Sequence, residues 1–270
     1  MIKLLRVLKR IITFINFSIQ FIIYGKDSDL KQYSTIKYNN FKLLFINSNN
    51  ILRYRINNFK LKEPETIEWI ENFEKKSNFW DIGANIGTYS ILASKINNCE
   101  VISFEPSYTN LNILSKNIYL NKLQNKICTF PLAVNAKTNI GMFKSSEVIA
   151  GHANSSFNNG LGFDGKPIKV NFEYKTISMS LDDMVKKFNL KQPDYIKIDV
   201  DGNEHLVLSG AKETIKKTKE ILIELPGEWV EQTNTSHKIL KEAGFNIIKK
   251  HNYDSKTNAE VSANEIWKRI

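Results

Sequence analysis

Three acidic residues stand close together at the end of an apolar stretch, IKIDVDGNE, at 196–204. Side chains alternate between the two faces of a strand, so Lys197, Asp199 and Asp201 share one face and the isoleucines occupy the other. A row of charges on a buried strand is costly unless it lines a cavity or finds partners. The pattern indicates a functional cleft or a buried ion-pair network where this strand ends, just before Glu204.

A second stretch, FWDIGANIGTYS at 79–90, places two glycines in a turn between a predicted strand and a predicted helix. Gly83 and Gly87 allow a tight turn and the close approach of a ligand. Their spacing is G-x-x-x-G, whereas the dinucleotide fingerprint is G-x-G-x-x-G and a Walker loop requires Gly-Lys-Ser/Thr. Asp81, directly before the turn, would repel a polyanion and attract an ammonium group. The stretch therefore predicts a ligand without phosphate groups.

An acid at the end of the next predicted strand, Glu105, follows Gly87 by eighteen residues. In nucleotide-binding βαβ units, an acid about 20 residues after the glycines reaches the ribose hydroxyls. A ligand with a ribose, a free ammonium group and no phosphate suits both features, and S-adenosylmethionine is such a ligand. The structural alternative is that the glycines serve only the turn and that Glu105 caps a helix.

Strand and helix patterns alternate from Asn78 onward, which is typical of an α/β fold with a doubly wound, mainly parallel sheet. The predicted strands are FWDIG, EVISFE, KICTFPLAV, DYIKIDV, EILIEL, NIIKKH and EIWKRI. The predicted helices are GTYSILASKI, SYTNLNILSKNIYLN, SLDDMVKKF with Ser180 as N-cap, EHLVLSGAKETIKKT, and HKILKEAGF ending near Gly244. A Gly/Asn/Ser-rich insertion at 139–175 is a candidate lid or substrate loop.

The alternation predicts one Rossmann-like domain at 76–270, preceded by two smaller segments. Residues 27–75 form a small N-terminal embellishment, with short strands predicted within 33–60, including ILRYRI. EPETIEWIENF then predicts a helix with Pro64 in its first turn.

The first segment, 1–26, predicts an amphipathic helix with one narrow polar stripe. Its uncharged run, 11–24, is shorter than the ~20 residues that a spanning helix needs, and no signal-peptide cleavage site follows. We expect either an interfacial helix that binds a membrane surface through residues 1–24 or a helix packed on protein. The expected location is cytoplasmic, with peripheral attachment to the cytoplasmic face of the membrane left open.

The net charge of +10 over 270 residues raises nucleic acid as a partner. Five of these charges lie in 1–26, and no basic stripe is interleaved with aromatic residues. The sequence therefore disfavours nucleic acid. Cys99 and Cys128 are the only cysteines and form no CxxC pair, which disfavours a disulfide framework and a zinc cluster.

These motifs together resemble the FkbM-type methyltransferase family, within the class I S-adenosylmethionine-dependent fold. The matching stretches, in the family's order over roughly 63–225, are EPETIEWI, DIGANIGTYS, FEPSYTNLNILSKNIYLN, LDDM and IKIDVDGNEHLVLSGA. Asp201 stands where the family usually has Glu. The resemblance does not cover the N-terminal helix or the details of 139–175.

The resemblance implies a parallel sheet whose strand order reverses beside the first strand, with S-adenosylmethionine lying across the carboxyl ends there. It places the methionine part of the cofactor near Asp81, Gly83, Asn85 and Gly87, the ribose at Glu105, and the adenine near Ala133.

In the implied topology, Asp199 points into the crevice near the donor methyl. Methyl transfer from a sulfonium is an in-line displacement, so an alcohol acceptor needs alignment and a route for its proton. Asp199 is therefore the predicted base or metal ligand, and Lys197 and Glu204 are further catalytic candidates. Glu224 is a candidate second acid of a hard-cation site, and whether a divalent metal binds stays open.

Structural alternatives exist for several of these residues. Asp201 or Asn203 could cap the helix that begins near Glu204. Lys197 could only neutralise a buried acid, Asp199 or Glu224.

The function predicted is O-methylation of a hydroxyl on a sugar, glycolipid or related metabolite, so the expected partner is a small-molecule or glycan acceptor. The alternatives are a nucleic-acid methyltransferase and a membrane-tethered non-catalytic module of the same fold. A nicotinamide-dependent dehydrogenase is disfavoured by the glycine spacing. The sequence leaves the oligomeric state open.

Overall fold

A computed structural model describes residues 28–252 and 263–270. Its strands are β1 (Tyr33–Tyr38), β2 (Phe41–Ile46), β3 (Asn78–Ile82), β4 (Glu100–Phe104), β5 (Ile127–Phe130), β6 (Ala133–Val134), β7 (Asn139–Ser145), β8 (Ser155–Phe157), β9 (Phe172–Met179), β10 (Tyr195–Ile198), β11 (Glu220–Leu225), β12 (Phe245–Asn252) and β13 (Ala263–Arg269).

The α-helices are α1 (Asn50–Asn57), α2 (Phe59–Lys62), α3 (Pro64–Glu71), α4 (Thr88–Asn97), α5 (Tyr108–Asn121), α6 (Leu181–Phe188), α7 (Glu204–Ser209), α8 (Lys212–Ile215) and α9 (Val230–Glu242), and a 3₁₀ turn spans Ser28–Lys31. Pro64 begins α3, Ser180 caps α6 through the amide of Asp183, and α9 ends two residues before Gly244, all as predicted.

The central sheet has the strand order β12-β13-β11-β10-β3-β4-β5 among the described residues. Strands β5, β4, β3, β10 and β11 are parallel, whereas β13 runs antiparallel between β11 and β12. The order reverses at β3, whose neighbours are β4 and β10. The predicted doubly wound α/β fold is confirmed, and its switch point lies where ligands bind in open α/β sheets.

Apolar side chains on the two faces of this sheet form two buried cores. In β3, Phe79 belongs to the core that includes α4 and α5, whereas Trp80 belongs to the core that includes α6, α7 and α9. The two neighbours enter opposite cores because strand side chains alternate. All four residues of β10 are buried, which fits a central parallel strand covered by helices on both faces.

The expectation that ILRYRI forms a strand is wrong, because this stretch lies in α1. The Asn49 side chain accepts a hydrogen bond from the Leu52 amide (2.8 Å) and caps the helix. Leu52 and Ile56, four residues apart, are both buried and supply the apolar face of the helix. The β1–β2 hairpin before it agrees with the sequence-based expectation.

The sequence suggested that KICTFPLAV forms one strand, but the structure divides it into β5 and β6. Pro131 has no amide hydrogen to donate to a ladder, and it separates β5 in the central sheet from β6 in a second sheet. This second sheet has the order β6-β9-β7-β8, in which β7 and β8 lie within the insertion at 139–175 and β9 begins in it. The break thus marks where the chain leaves the central sheet to build the insertion.

The predicted amphipathic helix at 1–26 lies outside the described residues. Within 28–252 and 263–270, no helix is long and apolar enough to cross a membrane.

Candidate active site

A cavity of about 430 Å³ lies at the carboxyl ends of β3, β4, β10 and β11. Its lining includes five of the predicted site residues: Gly83, Asn85, Glu105, Ala133 and Asp199. Strands that are distant in sequence end at one edge because they are parallel neighbours. The fold therefore brings the predicted cofactor residues and the acidic strand end together.

The turn after β3 requires glycine for two different reasons. Gly83 has φ +83°, and a Cβ there would lie 1.8 Å from the carbonyl oxygen of Asp199. The amides of Gly83 and Ala84 both donate to the Phe104 carbonyl oxygen at 3.0 Å. Gly87 also has a positive φ, +81°, but its missing Cβ makes room for Leu114 of α5. Gly83 thus shapes the cavity wall, whereas Gly87 lets two helices pack closely.

Asp81 lies within β3, behind the cavity lining. Its carboxylate accepts a hydrogen bond from Ser90 Oγ (2.5 Å), and Ser90 Oγ in turn lies 2.7 Å from Ser103 Oγ. Burial raises the pKa of Asp81, and the charge of Lys197 opposes that rise. Asp81 therefore belongs to a buried polar network below the site.

Glu105 holds the turn after β3 through its side chain. Its carboxylate accepts from the amides of Asn85 (2.7 Å) and Ser107 (2.8 Å). Burial raises the pKa of Glu105 to about 7, although these hydrogen bonds favour the charged form. Asn85 has φ +50°, and its side-chain oxygen is buried with no hydrogen-bond partner among the described residues.

Asp199 lies at the end of β10 in a group of opposing charges. Lys197 Nζ is 2.6 Å from Asp199 Oδ2 and 3.8 Å from Glu63 Oε2. Burial alone would raise the pKa of Asp199, but the charge of Lys197 outweighs it and holds that pKa well below its usual range. Asp199 is therefore ionised near pH 7, and Lys197, itself buried, stays protonated.

Glu224 lies at the end of β11 and is hydrogen-bonded to Asp199. Burial, followed by repulsion from the Asp199 charge, raises its pKa well above the usual range. In this pair Glu224 is the neutral donor and Asp199 the anionic acceptor. Within 28–252 and 263–270, no group of three or more His, Cys, Asp or Glu side chains is arranged to hold a metal ion.

The loop between β10 and α7 is held by Glu204. One carboxylate oxygen accepts from the amides of Val200 (3.0 Å) and Gly202 (3.2 Å), and the other accepts from the side chain of Gln232. Burial raises the pKa of Glu204 to about 7. Both carboxylate oxygens of Glu204 thus bind groups of the protein itself, and Glu204 is not among the cavity-lining residues.

Of the two residues named as alternative caps of α7, Asn203 occupies the N-cap position, but neither side chain makes a capping hydrogen bond. The side-chain oxygen of Asn203 accepts from Asn159 (3.0 Å). Asp201, with φ +54°, accepts from the amide of Asn154 (3.0 Å). Both side chains bind the insertion, because the loop turns them toward it and away from the helix.

Part of the insertion covers the cavity. We call this segment, residues 150–163, the roof. Gly151 N donates to Asn110 Oδ1 (2.8 Å), and the His152 carbonyl oxygen accepts from the side chains of Asn85 (3.1 Å) and Asn110 (3.2 Å). Phe157 and Phe163 line the cavity from this side. The lid expected from the sequence is thus fastened to the turn after β3 and to α5.

Two basic side chains in the lining, Arg55 and Lys62, were missed by sequence reasoning. They come from α1 and α2, ahead of the α/β domain. Their region was interpreted as short strands of a peripheral embellishment, and no spacing motif links them to the later strand ends. Only the packing of the N-terminal helices against the roof reveals them.

A family model described as the methyltransferase FkbM domain matches residues 81–253, which is more than half of the chain. The chain belongs to this FkbM methyltransferase family. The match begins at Asp81 and runs through β12, so the cavity walls contributed by β3, β4, β10 and β11 lie within it. The N-terminal hairpin and helices α1 to α3 precede it.

A curated relative of this FkbM-family chain is the hexuronic acid methyltransferase AglP of Haloferax volcanii. The two are 24% identical over 156 residues, which is 58% of this chain and 59% of the relative. The chain thus matches less than two thirds of that relative's length.

Solved structures similar to this chain include M. jannaschii TYW2 in complex with AdoMet, at TM-score 0.45 and 13% identity over 88% of this chain and 87% of that one. P. horikoshii TYW2 in complex with MeSAdo has TM-score 0.47 and 14% identity over 90% of this chain and 72% of that one.

Proposed function

We propose that this chain is an S-adenosylmethionine-dependent O-methyltransferase whose acceptor is a hydroxyl of a sugar, a glycolipid or a related metabolite. Membership of the FkbM family supports methyl transfer. The observation that carries the proposal is the ionised Asp199 carboxylate lining a roofed cavity at the switch point of the sheet. The name of the hexuronic acid methyltransferase relative supports a sugar acceptor.

The residues of the β3 and β4 ends fit the cofactor. The buried side-chain oxygen of Asn85 lacks a partner among the described residues and can accept from the cofactor's ammonium group. Glu105 is positioned for the ribose hydroxyls, and Ala133 and Leu132 provide an apolar wall for an adenine ring. Bound S-adenosylmethionine supplies an electrophilic methyl group on a sulfonium.

Asp199 orients the acceptor hydroxyl and removes its proton. The low pKa of Asp199 makes it a weak base toward a free alcohol. The hydroxyl becomes strongly acidic only as its oxygen forms the bond to the methyl carbon, so a weak, positioned carboxylate suffices late in the reaction. The neutral Glu224 donates a hydrogen bond to Asp199 and so holds its carboxylate in place.

The roof supports this chemistry by limiting water. Its backbone is bound by the side chains of Asn85, Asn110 and Asp201. Asn85 lies in the turn after β3, which is the proposed cofactor-binding turn. A site from which water is excluded strengthens the hydrogen bond of Asp199 to the acceptor and protects the reaction geometry.

Calorimetric titration of S-adenosylmethionine into the full chain tests the proposal. We expect saturable binding at pH 8, where Glu105 is ionised. Glu105→Ala should weaken this binding at least about tenfold, because a hydrogen bond to a charged group contributes ~1.5–3 kcal/mol. The matched control is Glu100→Ala. Glu100 is an exposed acid at the opposite end of β4, and it pairs with Lys191 (2.6 Å). A folded wild-type chain that binds no S-adenosylmethionine would contradict the proposal.

A further inference from the structure

Two cations project into the cavity from helices that precede the family-matched residues. Arg55 lies near the end of α1 and is partly buried, and Lys62 ends α2. Lys62 Nζ lies 3.1 Å from Glu63 Oε1. Arg55 forms no ion pair with any carboxylate in the described part of the chain, although several acids line the same cavity.

The Arg55 guanidinium is fixed against the roof. Its Nε donates to the carbonyl oxygen of Gly151 at 2.5 Å, and Arg55 lines the cavity. Holding a partly buried charge without a counter-ion is costly. A planar guanidinium oriented in this way matches the two oxygens of a carboxylate or phosphate.

These cations lie at the acceptor end of the cavity. Burial, followed by repulsion from Asp199, raises the pKa of Asp201 to about 6, and the charge of Arg55 opposes that rise. Lys62 acts with Lys197 to lower the pKa of Asp199, so both cations act on the end of β10. The cofactor candidate Glu105 directly follows β4, which lies on the other side of β3 from β10. An anionic group bound by Arg55 would therefore belong to the acceptor.

We infer that the acceptor is a sugar carrying a fixed negative charge, a carboxylate or a phosphate, which Arg55 binds while a neighbouring hydroxyl of the same sugar lies at Asp199. This inference rests on the proposed function. The anionic group is recognised and is not itself methylated, because the ionised Asp199 would repel a second anion from the reacting position. The product is thus a methyl ether, formed as the acceptor oxygen bonds to the methyl carbon, the carbon–sulfur bond breaks and Asp199 receives the proton.

The test measures binding of three sugars to the full chain saturated with S-adenosylhomocysteine: methyl glucoside, methyl glucuronide and glucose 1-phosphate. We expect at least one anionic sugar to bind about tenfold or more tightly than the neutral glucoside. A preference for the glucuronide identifies a carboxylate acceptor, and a preference for glucose 1-phosphate identifies a phosphorylated one.

Variants of Arg55 separate charge recognition from support of the roof. Arg55→Gln and Arg55→Lys both lose the hydrogen bond to Gly151, but only Arg55→Lys keeps the charge. The preference should vanish in Arg55→Gln and persist in part in Arg55→Lys. The matched control Arg53→Gln lies on the same helix, where Arg53 is exposed and binds Asn47 and Asn50 instead, and it should keep the full preference.

Three results would overturn the inference: equal binding of neutral and anionic sugars by the wild type, a preference retained in Arg55→Gln, or equal losses in Arg55→Gln and Arg55→Lys. Failure of the wild type to bind S-adenosylhomocysteine would instead contradict the proposed function and would remove this inference with it. Normal S-adenosylhomocysteine binding without an anionic preference contradicts this inference alone.

Discussion

Lys197 and Asp199 lie on the same face of one strand end, and their charged groups meet at 2.6 Å beneath the cavity. Lys197 is buried, whereas Asp199 is 22% exposed toward the cavity. The lysine thus sets the charge state of the carboxylate without reaching the cavity itself. This relationship gives Lys197 a supporting role in the proposed mechanism, although its residue type alone fits direct catalysis.

Removing this lysine charge should destabilise the protein strongly. Lys197→Met removes the cation that lies 2.6 Å from Asp199, whereas Glu63 keeps its pair with Lys62 (3.1 Å). Breaking a buried pair costs about 3–5 kcal/mol. Chemical denaturation measures the loss in the free energy of unfolding. Lys219→Met is the control, since Lys219 forms an exposed pair with Glu74 (2.6 Å) and such pairs contribute ~0–1 kcal/mol. Similar losses for the two variants would show that the Lys197 charge is not needed for the fold.

Gly83→Ala should impair the fold and the cofactor site together. A Cβ at this position overlaps the Asp199 carbonyl oxygen, and the positive φ adds strain, so we expect a loss of about 2–5 kcal/mol in the free energy of unfolding. Gly244→Ala is the matched control: its φ is also positive, +85°, but the nearest atom to a Cβ there is a guanidinium nitrogen of Arg269 at 3.3 Å, with no backbone overlap. Equal losses would show that the close approach to β10 has no energetic weight.

Glu204 should make stability depend on pH. Its pKa is raised from an ordinary 4.5 to about 7 by burial, so the folded chain binds the proton more tightly than the unfolded chain does. The contribution of Glu204 to stability is therefore full below pH ~4.5 and is lost as the pH rises to about 7, by roughly 3 kcal/mol.

Glu204→Gln should flatten that part of the stability profile. The amide of Gln232 has a buried oxygen without a hydrogen-bond partner among the described residues, so it can turn to accept from the new side chain. Glu213→Gln, at an exposed acid that pairs with Lys216, is the control and should leave the profile unchanged. The measurement is urea denaturation at intervals from pH 4.5 to 8. An unchanged slope in Glu204→Gln would contradict the assigned pKa.

The sequence predicts the central sheet because each of its strands is a short apolar run between turn signals, as in IKID and ILIE. It also predicts the turn after β3, since a tight turn that approaches a neighbouring strand requires glycine at position 83. It does not predict α1, because ILRYRI is rich in β-branched and aromatic residues and the cap from Asn49 is a single hydrogen bond. The sequence also does not predict the position of Arg55, because this position depends on the contact between α1 and the roof.

The acidic end of β10 likewise combines features that the sequence predicts with features that it does not. Alternation in β10 correctly places Lys197 and Asp199 on one face. The division of labour among Asp199, Asp201 and Glu204 depends instead on the loop after the strand, where Asp201 adopts a positive φ and Glu204 turns back to bind two loop amides. Such contacts are set by tertiary packing and leave no periodic signal.

The most direct test of the account compares cofactor binding and methyl transfer in Asp199→Asn, with Glu213→Gln as the control that removes an exposed acid. Calorimetry gives the affinity for S-adenosylmethionine, and transfer of labelled methyl groups to anionic and neutral sugars gives turnover. We expect Asp199→Asn to bind S-adenosylmethionine within about threefold of the wild type, roughly 0.7 kcal/mol, and to lose turnover by at least about a hundredfold. Turnover close to that of the wild type in Asp199→Asn would contradict the proposed role of Asp199.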